Sequence, residues 1–186
     1  MENLVYAIVL LPLIGFVING LFGKRLPKAL VGGLATLVVF AAFLISVSIF
    51  IGFPADGTPV IVKAFEWFTI GGIQVNFGFQ IDQLSLMMMM IVTGIGSLIH
   101  LYSIGYMSHD KGFYKFFTYL NLFIFSMLLL VMGSNYLILF IGWEGVGLCS
   151  YLLIGFWYEN TEYGKAARKA FIMNRIGDLG LLIGIF

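Results

Sequence analysis

Long apolar runs, separated by short polar or glycine-containing breaks, divide this chain. The runs at 4–22, 29–53, 84–106, 116–132 and 135–157 are each long enough to cross a hydrocarbon core. A sixth run opens near Ala166 and is unfinished at Phe186, which suggests a piece of something longer. Residues 54–83 are too mixed to span. Within them, FEWFTIGGIQVNFGFQI (65–81) alternates apolar and polar positions around Gly71 and Gly72, the pattern of a β-hairpin with a glycine turn. The pattern predicts an all-α polytopic membrane protein. It has about six transmembrane helices in one transmembrane domain (1–186, cut off in the sixth helix), with one extracytoplasmic hairpin loop at 54–83.

Composition agrees. The chain is 61% hydrophobic and 10% charged, where a soluble domain carries about 25% charge. Too few charges remain to solvate a surface. A net charge of +1 gives no reason to expect a nucleic-acid partner. The single Cys149 excludes an internal disulfide and a multi-cysteine metal site. The first run is as long as a membrane span and lacks a basic leader, so no signal peptide is read there.

Charge also orients the spans. The first, third and fifth connections and their flanks hold Lys24, Arg25, Lys28, Lys111, Lys115, Lys165, Arg168 and Lys169. The opposite side holds Lys63 beside Glu2, Asp56, Glu66 and Asp82. The positive-inside rule places the basic side in the cytoplasm and the N-terminus outside. Trp157 and Tyr158 then fall at the inner interface, where amphipathic rings prefer to sit.

Three charges have no place in a connection: Glu144, Arg175 and Asp178. Glu144 lies roughly 13 Å along the fifth span, in a core about 30 Å thick. A carboxylate there costs at least about 2.5 kcal/mol unless paired or neutralised. Arg175 and Asp178 are spaced i, i+3 and can share one face of the sixth span. Successive spans run antiparallel, so Glu144 and Asp178 reach similar depth. Two carboxylates and one guanidinium at mid-membrane form an ionisable cluster if the helices are neighbours. A buried carboxyl can hold a proton near neutral pH, and moving a nearby positive charge expels it. The competing reading is a static pair, Arg175 with Asp178, that fixes helix packing.

Other residues carry weaker signals. His100, beside Tyr102 and Ser103, can extend a proton path or serve as a hydrogen-bonded structural histidine. His109 reads as a solvated loop residue. Met87 to Met90 read as soft packing, because sequential side chains point around a helix. Gly142, Gly145 and Gly147 near Glu144 permit close helix approach or a local irregularity. Gly180 and Gly184 form a weak packing motif. Asp82 reads as a helix cap. The sequence shows no phosphate loop, dinucleotide fingerprint, nucleophile elbow or credible metal constellation.

The block at 142–158, GWEGVGLCSYLLIGFWY, resembles the antiporter-like subunit L of respiratory complex I, the proton-pumping NADH–quinone oxidoreductase, called chain 5 in mitochondria. DQLS at 82–85, IHLYSIGYM at 99–107 and NRIGD at 174–178 extend the resemblance over essentially the whole chain. The resemblance implies that the family's proton-channel glutamate is Glu144 and its second acid Asp178, with Arg175 beside it. It implies proton translocation driven by NADH oxidation and quinone reduction in other subunits. Partners would be the other membrane-arm subunits, the lipid bilayer and protons. No cofactor is expected in this chain; flavin, iron–sulfur clusters and quinone belong to other subunits, and no redox chemistry or metal is assigned here. The expected place is the bacterial cytoplasmic (inner) membrane or an equivalent energy-transducing membrane. A family lysine on a seventh helix lies outside this sequence, which reads as an N-terminal portion. Alternatives are a stand-alone Mrp-type cation/proton antiporter subunit and a non-transporting structural or assembly fragment.

Overall fold

The computed structural model describes residues 2–54 and 56–186, so Met1 and Ala55, one position of the 54–83 loop, lie outside the described residues. The element order is α1 (Glu2–Phe22), α2 (Lys28–Ile51), β1 (Val60–Ile70), β2 (Ile73–Ile81), α3 (Gln83–Tyr106), α4 (Phe113–Met132), α5 (Tyr136–Ile154) and α6 (Thr161–Ile185). Among the described residues, five helices, α1 to α5, are long and apolar enough to cross a membrane. The sixth forms as a helix of 25 residues. It begins five residues ahead of the apolar run read from Ala166, because Asn160 caps it by accepting from the Glu162 N–H.

Local chemistry sets the other boundaries. Pro27, at φ −63°, precedes the first residue of α2. Asp82 starts α3 in a reciprocal capping box: its carboxylate accepts from the Ser85 N–H at 2.8 Å, and Ser85 Oγ accepts from the Asp82 N–H at 2.7 Å. Asn135 starts α5 by accepting from the N–H groups of Leu137 and Ile138.

The two strands pair antiparallel, with Ile70 opposite Ile73 across Gly71 and Gly72. Both glycines have positive φ, +58° and +87°, as a two-residue hairpin turn requires. The hairpin is a lid rather than a free loop. Val62, Phe79 and Ile81 are buried in the same core as Val5, Ile8 and Met132. Phe79 bridges Gly133, Tyr6 Oη donates to the Lys63 carbonyl at 3.0 Å, and Asn135 Nδ2 donates to the Asn76 carbonyl at 2.8 Å.

Helices α1 to α4 pack together around that core, α5 lies against α4, and α6 lies against α5. The order matters for the site. Burial is dense in the first four helices and sparse outward: in α6 only Ala167 and Asp178 are buried. The methionine run behaves as its spacing implies, with Met89 fully buried and Met87 turned outward. Gly180 and Gly184 face open space, so the small-residue motif packs on nothing within the described residues.

Candidate functional site

Glu144, Arg175 and Asp178 come together where α5 meets α6. The Arg175 guanidinium pairs through Nη1 with Glu144 Oε2. Its Nε lies 3.2 Å from Asp178 Oδ2. That contact is within ion-pair range, but neither atom is aligned for a hydrogen bond. Nη2 donates to the Glu144 main-chain carbonyl at 3.3 Å. One arginine therefore bridges two carboxylates on different helices. A static Arg175–Asp178 pair alone does not describe the arrangement, since Glu144 obtains its cation from α6.

The surroundings are graded. The Asp178 side chain is 5% exposed, while those of Glu144 and Arg175 are 29% and 31% exposed. The Trp143 indole N–H donates to Asp178 Oδ1 at 2.7 Å. The Phe171 ring lies 4.7 Å from Arg175 Cζ, stacking the guanidinium on an aromatic face. Trp143 was missed in the sequence reading. Its signal was available: a tryptophan in mid-span needs a partner for its N–H, and it sits next to Glu144.

The three glycines explain how the helices reach each other. A Cβ on Gly142 would lie 2.4 Å from the Leu130 backbone nitrogen, and one on Gly145 would lie 2.6 Å from Ser126 Oγ. These two let α5 press on α4. A Cβ on Gly147 would meet Arg175 Nη2 at 2.9 Å, so this glycine makes room for the guanidinium. Helix α5 runs unbroken from Tyr136 to Ile154, so the glycines act by close approach and not by irregularity.

His100 is elsewhere. It is fully buried on α3, with Nδ1 2.7 Å from the Gly96 carbonyl oxygen and Nε2 2.9 Å from Asn121 Oδ1 on α4. Both ring nitrogens are occupied, and neither contact leads to Glu144. His109 is exposed, and Asp82 is a cap, as its position before α3 indicated.

The cluster is one positive charge short of balance. With both acids ionised it carries −1, and a single proton brings it to zero.

A protein-family model described as "NADH-Ubiquinone oxidoreductase (complex I), chain 5 N-terminus" matches residues 67–117. A second, "NADH:quinone oxidoreductase/Mrp antiporter, TM", matches residues 133–186. The chain is similar to NADH-quinone oxidoreductase subunit L of Mycobacterium tuberculosis strain H37Rv, with 48% identity over 97% of this chain and 29% of the relative. It is 50% identical to subunit L of Campylobacter jejuni over 100% of this chain and 30% of the relative. It thus spans about 30% of the length of these curated relatives. Among solved structures it resembles a chain of the membrane-bound sulfane sulfur reductase, an archaeal respiratory membrane complex, at TM-score 0.84 and 17% identity, covering 99% of this chain and 36% of that one. It also resembles a chain of the Mrp complex from Dietzia sp. DQ12-45-1b at TM-score 0.78 and 24% identity, covering 97% of this chain and 19% of that one. These two likenesses establish an antiporter-like fold.

Proposed function

The chain belongs to the NADH-quinone oxidoreductase subunit L / chain 5 family, and on that premise we propose that it moves protons across a respiratory membrane as part of a proton-pumping complex. Glu144 is the group that takes up and releases the proton. Arg175 and Asp178 control it. The observation that carries this reading is the shared guanidinium, bound by Glu144 from α5 and by Asp178 from its own helix. If Arg175 leans toward Asp178, Glu144 loses its compensation and takes a proton. If it leans back, the proton leaves. Arginine suits the role because it stays charged throughout and presents several donors in a rigid fork.

The chain acts as a single membrane domain with the lysine-rich end inside and the hairpin on the outer face. Electrons move in other subunits, where flavin, iron–sulfur clusters and quinone do the redox chemistry that drives the proton. His100 belongs to a separate buried network and serves it by holding α3 to α4. The matched family description also covers Mrp antiporters, so sodium-dependent exchange without NADH is the rival activity.

The test is Glu144→Gln in the complete complex. Positioned proton-transfer groups typically contribute about a hundredfold or more, so pumping per NADH oxidised should fall at least roughly tenfold while the complex still assembles. Pumping that continues undiminished eliminates the role assigned to Glu144. Exchange that needs sodium and ignores NADH supports the antiporter instead.

A further inference from the structure

A cleft of about 880 Å³ opens at the lysine-rich end of the bundle, and neither Glu144, Arg175 nor Asp178 lines it. Three connections converge there. The α1–α2 turn contributes Lys24 and the first residue of α2 Lys28, the α3–α4 connection contributes Lys111 and the first turn of α4 Lys115, and the α5–α6 turn contributes Trp157 and Tyr158. Topology requires basic residues on this side, but it does not require them to face one cavity.

The lysines are available. None of the four is ion-paired among the described residues. Lys28 Nζ donates to the carbonyls of Ser108 and Asp110 at 2.7 and 3.0 Å, which leaves one of its three donors. Lys28 and Lys115 ammonium groups each lie 5.7 Å from an aromatic ring, Phe113 and Tyr158, contacts that hold their heads over the cleft without neutralising them. Two carboxylates also line it, Asp110 and Glu159, so four lysines minus two acids leave +2. Asp110 is already committed: Oδ1 accepts from the Gly112 N–H at 2.6 Å, and Oδ2 accepts from the Trp157 indole at 2.8 Å.

We propose that this cleft binds a phosphate-bearing anion, in the membrane the headgroup of an anionic phospholipid. Lysine ammonium groups are point donors suited to phosphate. Basic pockets between spans, at headgroup level, are the expected recognition site for such lipids. Trp157 and Tyr158 are exposed at the rim, where they can lie along the glycerol and upper acyl region. The site is independent of the proton reading, and either can fail alone.

The experiment uses the full chain in nanodiscs of phosphatidylcholine doped with phosphatidylglycerol or cardiolipin, with retained lipid counted by native mass spectrometry. One anionic lipid should be retained in preference to phosphatidylcholine. The double variant Lys24→Gln with Lys111→Gln should lower that retention on the order of tenfold. Neither side chain makes a hydrogen bond among the described residues, and Lys24→Arg with Lys111→Arg should restore retention. The control Arg168→Gln with Lys169→Gln removes equal charge from the same side but outside the cleft, and should change little. Equal loss in both double variants, or equal retention of phosphatidylcholine, overturns the site. A second arm measures chemical acetylation of Lys24 and Lys111 with inorganic phosphate in place of anionic lipid. Protection by millimolar phosphate with no lipid retained overturns the lipid as source.

Discussion

The α1–α4 bundle and the α5–α6 edge both hold polar side chains in a mostly apolar molecule, but they hold them differently. In the bundle, Asn19, His100 and Asn121 are fully enclosed and carry no acidic partner. A carbonyl can only accept, so the hydrogen on Nδ1 of His100 points at Gly96. The neutral ring then offers Nε2 as an acceptor. The Asn121 amide, turned over, donates to it and gives its unpartnered NH₂ a use. Both ring nitrogens of His100 have a partner there, and neither partner is an acid. At the edge, Glu144, Arg175 and Asp178 are all ionisable, two of them are about 30% exposed, and their charges do not balance. Closed neutral polarity fixes helices to each other. Open unbalanced polarity is what the proposed proton-carrying role requires.

The sharpest way to break this comparison is to damage the bundle site and watch the proton. His100→Ala leaves a cavity and orphans a buried amide, at a cost of about 3 kcal/mol. Thermal unfolding in detergent should register it, with translocation falling only in proportion to the protein lost. His100→Gln tests the same point more gently. If a fully folded His100→Gln protein is translocation-dead, the two regions are one path and the contrast fails.

Next in size is a pair of glycines on one helix. Gly142→Ala drives a methyl into Leu130 backbone atoms, which cannot step aside, so overpacking should cost about 2 kcal/mol. Gly147→Ala meets the far end of a flexible arginine instead. Its stability should change little, while displacement of the guanidinium by an ångström or so should slow translocation roughly tenfold. Equal effects of the two substitutions on unfolding temperature would show that Arg175 is part of the packing.

Much of this was readable from the chain, and the limit is physical. Span length, the hairpin glycines and the cap at Asp82 are local features, and they appear where local rules put them. The i, i+3 spacing of Arg175 and Asp178 is local too, and the two side chains do meet. What could not be read is how each helix is rotated. Helix α5 is apolar nearly all round, so no stripe reveals which face meets α6. The Glu144–Arg175 pairing, the Trp143–Asp178 bond and the Asn121 partner of His100 all depend on that rotation. The hairpin's role as a lid was hidden for a similar reason, since its anchors, Tyr6 and Asn135, are distant in sequence.

The smallest predicted effect separates a third kind of polar residue from both. Asp82 is an acid like Glu144 but closed like His100: its carboxylate accepts from the Ser85 N–H and from Gln80 Nε2. The Ser85 backbone bond is the main influence holding its carboxyl below the ordinary aspartate range; partial burial pushes the other way, and the Gln80, Ser85 hydroxyl and Leu84 contacts add to the lowering. A depressed folded value means that the unfolded chain takes up the proton first as acid is added. The stabilisation is therefore fully present above the free-aspartate value of about 3.9 and is lost as pH falls through the lower folded value. Asp82→Ala should cost about 1 kcal/mol at neutral pH, the usual worth of an N-cap. Asp82→Asn keeps much of the cap and should remove this contribution to the acid limb of the unfolding curve below about pH 4. Neither change should alter proton translocation, because the charge of Asp82 is consumed by its own helix terminus and leaves nothing for a proton in transit.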